Sequence, residues 1–339
     1  MSGRQTVIIK DASTAHWVYR APEGMRPFLQ LSRLDRPIGY WLLTLPGWIG
    51  LAFASLSHGF AQSDLKWVLL ILIGAIAMRG AGCTYNDIVD QDLDARVERT
   101  ALRPLPAGTV STKQAWAWLL AQCAAGLIVL LMLPRLAQII SLCSIPLVAA
   151  YPFMKRITWW PQLWLGLTFN WAVLVAYAAK TGEVSGPLFI LYLGLIFWTV
   201  GYDTIYACQD IEDDAMIGVK STARRFGKRV KLGVGVSYLA VIGLLTASFV
   251  KEISNGPDNS LQDRYFVITD PTVFILAIVP LWLHFSWQAL TLNPSDGKNA
   301  LSRFKSNFWA MLIVCIILIF MRSQLASVMN NDGLNMTLQ

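Results

Sequence analysis

Runs of about 20 apolar residues recur from residue 38 almost to the C-terminus, and they restrict the fold more than anything else in the chain. At ~1.5 Å of rise per residue, each such run crosses a hydrocarbon core ~30 Å thick as a helix. Nine spans are predicted, near 38–58, 67–89, 115–133, 136–153, 161–179, 187–208, 232–250, 271–292 and 305–322. Composition agrees: only 14% of residues are charged, where a soluble surface needs about 25%. The expectation is an all-α polytopic membrane bundle of about nine transmembrane helices. Residues 1–37 form a polar N-terminal segment, 38–322 the membrane domain and 323–339 a tail.

The net charge of +7 raises the question of nucleic acid, and the placement of Lys and Arg answers it. Counted by predicted membrane side, 21 fall with the N-terminus and 6 on the other side, with Arg79 inside the second span. That asymmetry is the positive-inside signal, so the N-terminus is cytoplasmic and no nucleic-acid partner is implied. No protein partner is called for either. The five cysteines sit in apolar stretches without Cys-x-x-Cys spacing, which predicts buried structural thiols. The first 37 residues lack the apolar core of a secretory signal. Asp11, Glu23 and Asp35 interrupt their basic residues, unlike a mitochondrial transit peptide. A bacterial inner membrane is therefore the first expectation and a mitochondrial inner membrane the second.

Ten of the 21 acidic residues fall in two short windows, 86–98 and 203–214, each directly after an apolar run on the cytoplasmic side. The first reads Asn86-Asp-Ile-Val-Asp90-Gln-Asp-Leu-Asp94, the second Tyr202-Asp-Thr-Ile-Tyr206-Ala-Cys-Gln-Asp210-Ile-Glu-Asp-Asp214. At ~100° per residue, Asp87, Asp90 and Asp94 share one helix face, as do Asp203, Asp210 and Asp214. Asp92 and Glu212 point away and are expected to be solvated. Carboxylates stacked on one face repel, so each face needs a cation. Mg²⁺ suits them: it is hard, and it commonly takes one or two carboxylates together with substrate phosphates. Acids that merely collect where helices leave the membrane explain one cluster better than two matched ones. The basic residues Arg96, Arg99 and Arg103 follow the first cluster, and Lys220, Arg224 and Arg225 the second. Positive-inside topology accounts for Arg224 and Arg225, whereas Lys220-Ser-Thr offers a charge and donors to a phosphate.

These segments resemble the UbiA superfamily of intramembrane aromatic prenyltransferases, and within it the 4-hydroxybenzoate polyprenyltransferases. The resemblance is carried by Arg33-Leu-Asp-Arg-Pro-Ile-Gly39, Met78-Arg-Gly-Ala-Gly-Cys83, the run from Asn86 to Gly108, Tyr151-Pro-Phe-Met-Lys-Arg156, Pro161-Gln162, Tyr202 to Asp210, and Gly218-Val-Lys-Ser-Thr222. It implies a bundle with a central cavity open to lipid and capped on the cytoplasmic side. It also implies a Mg²⁺ cofactor held by Asn86, Asp90, Asp94, Asp210 and Asp214 on the diphosphate of a polyprenyl donor. Asp87, Asp203 and Arg156 stand as catalytic candidates. Arg36, Arg79, Arg99, Lys155, Arg156 and Lys220 stand as contacts to polyprenyl diphosphate or 4-hydroxybenzoate. Arg79, alone inside a span, resembles an arginine near the aromatic acid, and pairing with a motif aspartate is its plain alternative.

The implied reaction, a step of ubiquinone biosynthesis, ionises the allylic diphosphate and alkylates 4-hydroxybenzoate ortho to its hydroxyl, with Asp203 the candidate for removing the ring proton. A superfamily enzyme with another aromatic acceptor is the nearest competing reading. CDP-alcohol phosphatidyltransferases need an Asp-Gly and a Gly-x-x-x-Asp that Asp94-Ala-Arg-Val-Glu does not supply. A cation transporter is the reading from a different class, but its site belongs near the midplane on broken helices.

Overall fold

The computed structural model describes residues 16–97, 100–255 and 271–336; the side chains of 213, 255, 271–277 and 327–336 fall outside the description. Among the described residues the secondary structure is helical, with no strands. Eight helical stretches are long and apolar enough to cross a membrane: Ile38–His58, Asp64–Val89, Thr112–Leu131, Arg135–Ile157, Pro161–Thr181, Gly186–Asp210, Thr222–Ser254 and Gly297–Ala326. The remaining predicted span, 271–292, is the helix Pro271–Thr291. The chain divides into two compact units, Met1–Trp41 with Leu72–Met132, and Leu42–Ile71 with Leu133–Gln339.

In the first unit, the juxtamembrane helix Arg26–Leu31 and the loop after the first acidic motif share a small core. Leu31, Leu105, Val110 and Ala115 are buried there, with Phe28, Ile88 and Trp118 packed against them. The Thr112–Leu131 helix begins at a capping box, in which Ser111 accepts from the Gln114 N–H while the Gln114 side chain returns to the Ser111 N–H. A buried polar chain ties three segments together. The Trp118 indole donates to Ser32 Oγ at 2.8 Å, Ser32 to Gln122 at 3.1 Å, and Gln122 to Thr84 at 3.1 Å. Gly80 makes room for it, because a Cβ there would sit 2.0 Å from Gln122 Oε1.

In the second unit, the helices Gly186–Ala207 and Val230–Asn255 pack along their lengths. Gly194 lies under Leu244 and Gly201 under the Tyr238 ring, so small residues admit the close approach. Gly50 does the same for the helices Ile38–His58 and Trp171–Thr181, where a Cβ would meet the Val173 carbonyl oxygen at 2.5 Å. Polar side chains inside the unit find partners, as low-dielectric surroundings require. Glu252 accepts from Ser57 at 2.6 Å, Tyr177 at 3.0 Å and Ser185 at 3.3 Å. Trp198 donates to Asn307 at 2.9 Å.

All five cysteines are free, but only Cys83, Cys208 and Cys315 are buried. Cys123 and Cys143 lie on exposed helix surfaces, a departure from the buried thiols expected. The apolar patterning that suggested burial is satisfied equally well by a face turned to lipid.

Candidate functional site

The first acidic motif begins inside the Asp64–Val89 helix, which kinks at Asp90 (φ −100°, ψ 6°) before one further turn, Gln91–Asp94. The kink preserves helical bonding. The Asp90 N–H donates to Asn86 O at 2.9 Å and the Asp94 N–H to Asp90 O at 2.8 Å. Asp87, Asp90 and Asp94 are all buried and Asn86 half-buried, while Asp92 is exposed. The phase argument that set Asp92 aside therefore holds in the folded chain.

Two arginines meet this motif. Arg33 Nη2 donates to both oxygens of the wholly buried Asp87, at 2.6 and 2.8 Å. Its Nη1 donates to the Gln30 carbonyl at 2.9 Å. Arg33 adopts φ 56°, and no other non-glycine among the described residues has a positive φ; conformations there are costly for a side chain with a Cβ. Burial works against the Arg33 charge, but the Asp87 carboxylate, aided by Cys83 and Asp35, outweighs it and holds the guanidinium above its ordinary pKa. Arg103 Nη1 donates to Asp94 Oδ2 at 2.6 Å and lies 3.3 Å from Asp87 Oδ1. The loop that carries Arg103 is fixed by burial of Leu105 and by the Thr100 hydroxyl, which donates to Asp94 O at 2.8 Å.

The other first-unit candidates stand as follows. Arg79 is half-buried and lies against Gly39, where a Cβ would come within 2.8 Å of its Nε. Arg36 is half-buried, its Nε 3.8 Å from Asp35 Oδ2. Burial raises the Asp35 carboxyl above its ordinary value, against the lowering pull of Arg36 and Arg33. Arg99 lies outside the described residues.

The second motif leaves the Gly186–Ala207 helix through a 3₁₀ turn, Cys208–Asp210, and continues as Ile211–Met216. A 3₁₀ turn advances ~120° per residue, so the uniform α-helical phase that grouped Asp203 with Asp210 and Asp214 does not carry through it. Asp203, Asp210 and Asp214 are half-buried and Glu212 is exposed. The chain then turns at Gly218 (φ 75°) and docks on the end of the Ile145–Ile157 helix. The Lys220 N–H donates to Lys155 O at 2.9 Å and Lys220 Nζ to Ile157 O at 3.0 Å. Lys220 thus places its charge on the Ile157 carbonyl at a helix C-terminus. Ser221 accepts from the Arg224 N–H, and the Thr222 N–H donates to Gln162 at 3.0 Å. Arg224 turns to the carbonyls of Asp214 and Val219 and to the Trp159 ring, a structural use matching its topological reading. Lys155 is half-buried, and Arg156 is exposed with its guanidinium 5.9 Å from the Phe153 ring centroid.

The donors in both motifs are carboxylate and amide oxygens, the hard ligands that Mg²⁺ takes. Among the described residues no three His, Cys, Asp or Glu side chains converge on a metal position. Oxygen donors of this chemistry suit an ion that completes its shell with water and phosphate oxygens. The residue types present fit that role. Arg33 meets the first motif through Asp87, and its only mark in the sequence is its place in the Arg33–Gly39 segment.

Apolar helices ending in two oxygen-donor motifs are the features expected of an intramembrane prenyltransferase, and family membership supplies the class. The profile of the UbiA prenyltransferase family matches residues 43–316, and the chain belongs to that family and is an enzyme of its prenyltransferase class. The chain is 45% identical over 312 residues to the mitochondrial 4-hydroxybenzoate polyprenyltransferase of Rattus norvegicus, covering 90% of this chain and 77% of that protein. The enzyme of the same name from Arabidopsis thaliana is 39% identical over 310 residues, covering 91% and 71%. Among solved structures, an apo UbiA homolog from Aeropyrum pernix K1 superposes with TM-score 0.61 at 25% identity, covering 87% of this chain and 98% of that one. A UbiA homolog from Archaeoglobus fulgidus, bound to GPP and Mg²⁺, has TM-score 0.61 at 17% identity, covering 86% and 99%, and shares the fold. The transporter reading finds no support in these relatives.

Proposed function

We propose that this chain transfers a polyprenyl group from polyprenyl diphosphate to the ring carbon of 4-hydroxybenzoate ortho to its hydroxyl, a Mg²⁺-dependent membrane step of ubiquinone biosynthesis. The observation that carries the reading is the Asn86–Asp94 helix end, where buried carboxylates on one face already bind the cationic Arg103. The names of the relatives support the acceptor, and the GPP and Mg²⁺ bound by the Archaeoglobus fulgidus homolog support the donor and the ion. The relatives are mitochondrial by name, which favours a mitochondrial membrane over the bacterial inner membrane first expected.

Asn86, Asp90, Asp94, Asp210 and Asp214 would hold Mg²⁺, which when bound offsets the charge that grows on a departing diphosphate. Lys155, Arg156 and Lys220 add positive charge for the same group, and Arg99 is assigned with them from its place after the first motif. Arg36 and Arg79 are assigned to the carboxylate of the aromatic acid, which a guanidinium binds as a planar fork. Asp203 is assigned to receive the ring proton. Asp87, first a catalytic candidate, is reassigned as a positioning residue, since both its oxygens are engaged by Arg33. Apolar helix walls keep water from the allylic cation.

Asp90→Ala and Asp210→Ala test the reading. Each should lower turnover at least ~100-fold in membranes given Mg²⁺, a prenyl diphosphate and labelled 4-hydroxybenzoate, with the protein still present and folded. Near-normal product from either variant would contradict it.

A further inference from the structure

The first acidic motif carries a cation of its own. Arg103 Nη1 bridges Asp94 Oδ2 at 2.6 Å and Asp87 Oδ1 at 3.3 Å, and its side chain is only 12% exposed. Its backbone is held in place: the Arg103 N–H donates to Thr100 O, the Ala107 N–H donates to Arg103 O, and Leu105 is buried in the small core. Only the end of the side chain is therefore free to change partners. Asp87 meanwhile keeps Arg33 as a second, two-pronged partner.

We propose that Arg103 is a positioning residue that competes with the divalent ion for Asp94, occupying that carboxylate until metal and diphosphate arrive together. The inference rests on the reading of Asp94 as a metal ligand. A guanidinium and a divalent ion seek the same oxygen and repel each other, so they do not share it at contact distance. Yielding Asp94 does not strand the arginine, because Asp87 is already within reach. The diphosphate brings the negative charge that tips the exchange, so the empty enzyme binds metal weakly and the loaded enzyme binds it well. The reciprocity of linked equilibria then requires that removing Arg103 tighten metal binding in the absence of diphosphate.

The test is Mn²⁺ binding to the purified full chain in detergent without diphosphate, followed by the electron paramagnetic resonance signal of free Mn²⁺. Arg103→Gln and Arg103→Met should each bind Mn²⁺ roughly fivefold more tightly, or better, while Arg103→Lys, which keeps the charge, stays near the parent. A merely structural role would weaken binding in all three. Asp94→Asn should weaken binding and erase the gain from Arg103→Gln. If Asp94→Asn leaves binding unchanged, the metal reading fails. If Asp94→Asn weakens binding but neither neutral Arg103 variant tightens it, the competition itself is overturned.

Discussion

Arg33 combines an unfavourable backbone angle with a buried two-pronged pair to Asp87. A conformation of this kind costs about 1–3 kcal/mol in a residue with a side chain, so the surrounding contacts must over-determine it. Removing the arginine strands a buried carboxylate, a change worth about 3–5 kcal/mol. Arg33→Ala should therefore lower thermal stability in detergent by an amount in that range, and Arg33→Ala with Asp87→Asn should recover part of the loss. No recovery in the double variant would show that the pair is not the source. Asp35, 3% exposed, supplies a pH dependence. Its folded-state pKa lies above the unfolded value, so the stability it confers is complete below the ordinary carboxylate range and is lost as pH rises through the raised pKa. Asp35→Asn does not ionise. It should melt above the parent at neutral pH, and the difference should close near about pH 4; a gap independent of pH would contradict the assignment. Neither feature can be read from residue identity, because Arg33, Asp35 and Arg36 all pass as ordinary juxtamembrane charges. The fold alone distinguishes the buried pair with Asp87 from the others.

Most helices were legible in the sequence to within a few residues because hydrophobic length fixes them. The last, Asn307–Met336, runs well past the expected end at 322, because its final turns are too polar to carry a hydropathy signal. The helix after the first loop begins at Asp64 rather than 67, since polar first-turn residues carry no hydropathy signal. The carboxylates of the first motif were legible for a related reason: bonding through the Asp90 kink keeps the α-helical phase. The second motif was less so, because the 3₁₀ turn at Cys208–Asp210 changes the angular step without leaving a mark in the residue types. Close helix approach was invisible as well. Gly50 looks like any apolar-run glycine, yet its missing Cβ admits the Val173 carbonyl. A backbone oxygen does not move aside as a side chain would. Gly50→Ala should therefore separate the helices Ile38–His58 and Trp171–Thr181 and cost about 1–3 kcal/mol, read as a lower melting temperature. An unchanged melting temperature would mean that the contact is slack.

At the scale of the whole chain, topology and chemistry were written in different signals. The alternation of Lys and Arg between loops follows from how membrane proteins orient, and it accounts for most of the positive charge. The concentration of half the acidic residues in two windows on one side does not follow from that rule, and it pointed to the site. The two motifs belong to different compact units. Family membership gives the reaction class, and the proposed substrates turn the class into a single assay. The most direct test incubates the purified, lipid-reconstituted chain with ring-labelled 4-hydroxybenzoate and a polyprenyl diphosphate, with Mg²⁺ or with a chelator. The account predicts a lipid-extractable product bearing a new carbon–carbon bond ortho to the hydroxyl, formed with Mg²⁺ and abolished by the chelator. Product that forms equally well under chelation, or prenylation of a different acceptor with 4-hydroxybenzoate left untouched, would contradict it.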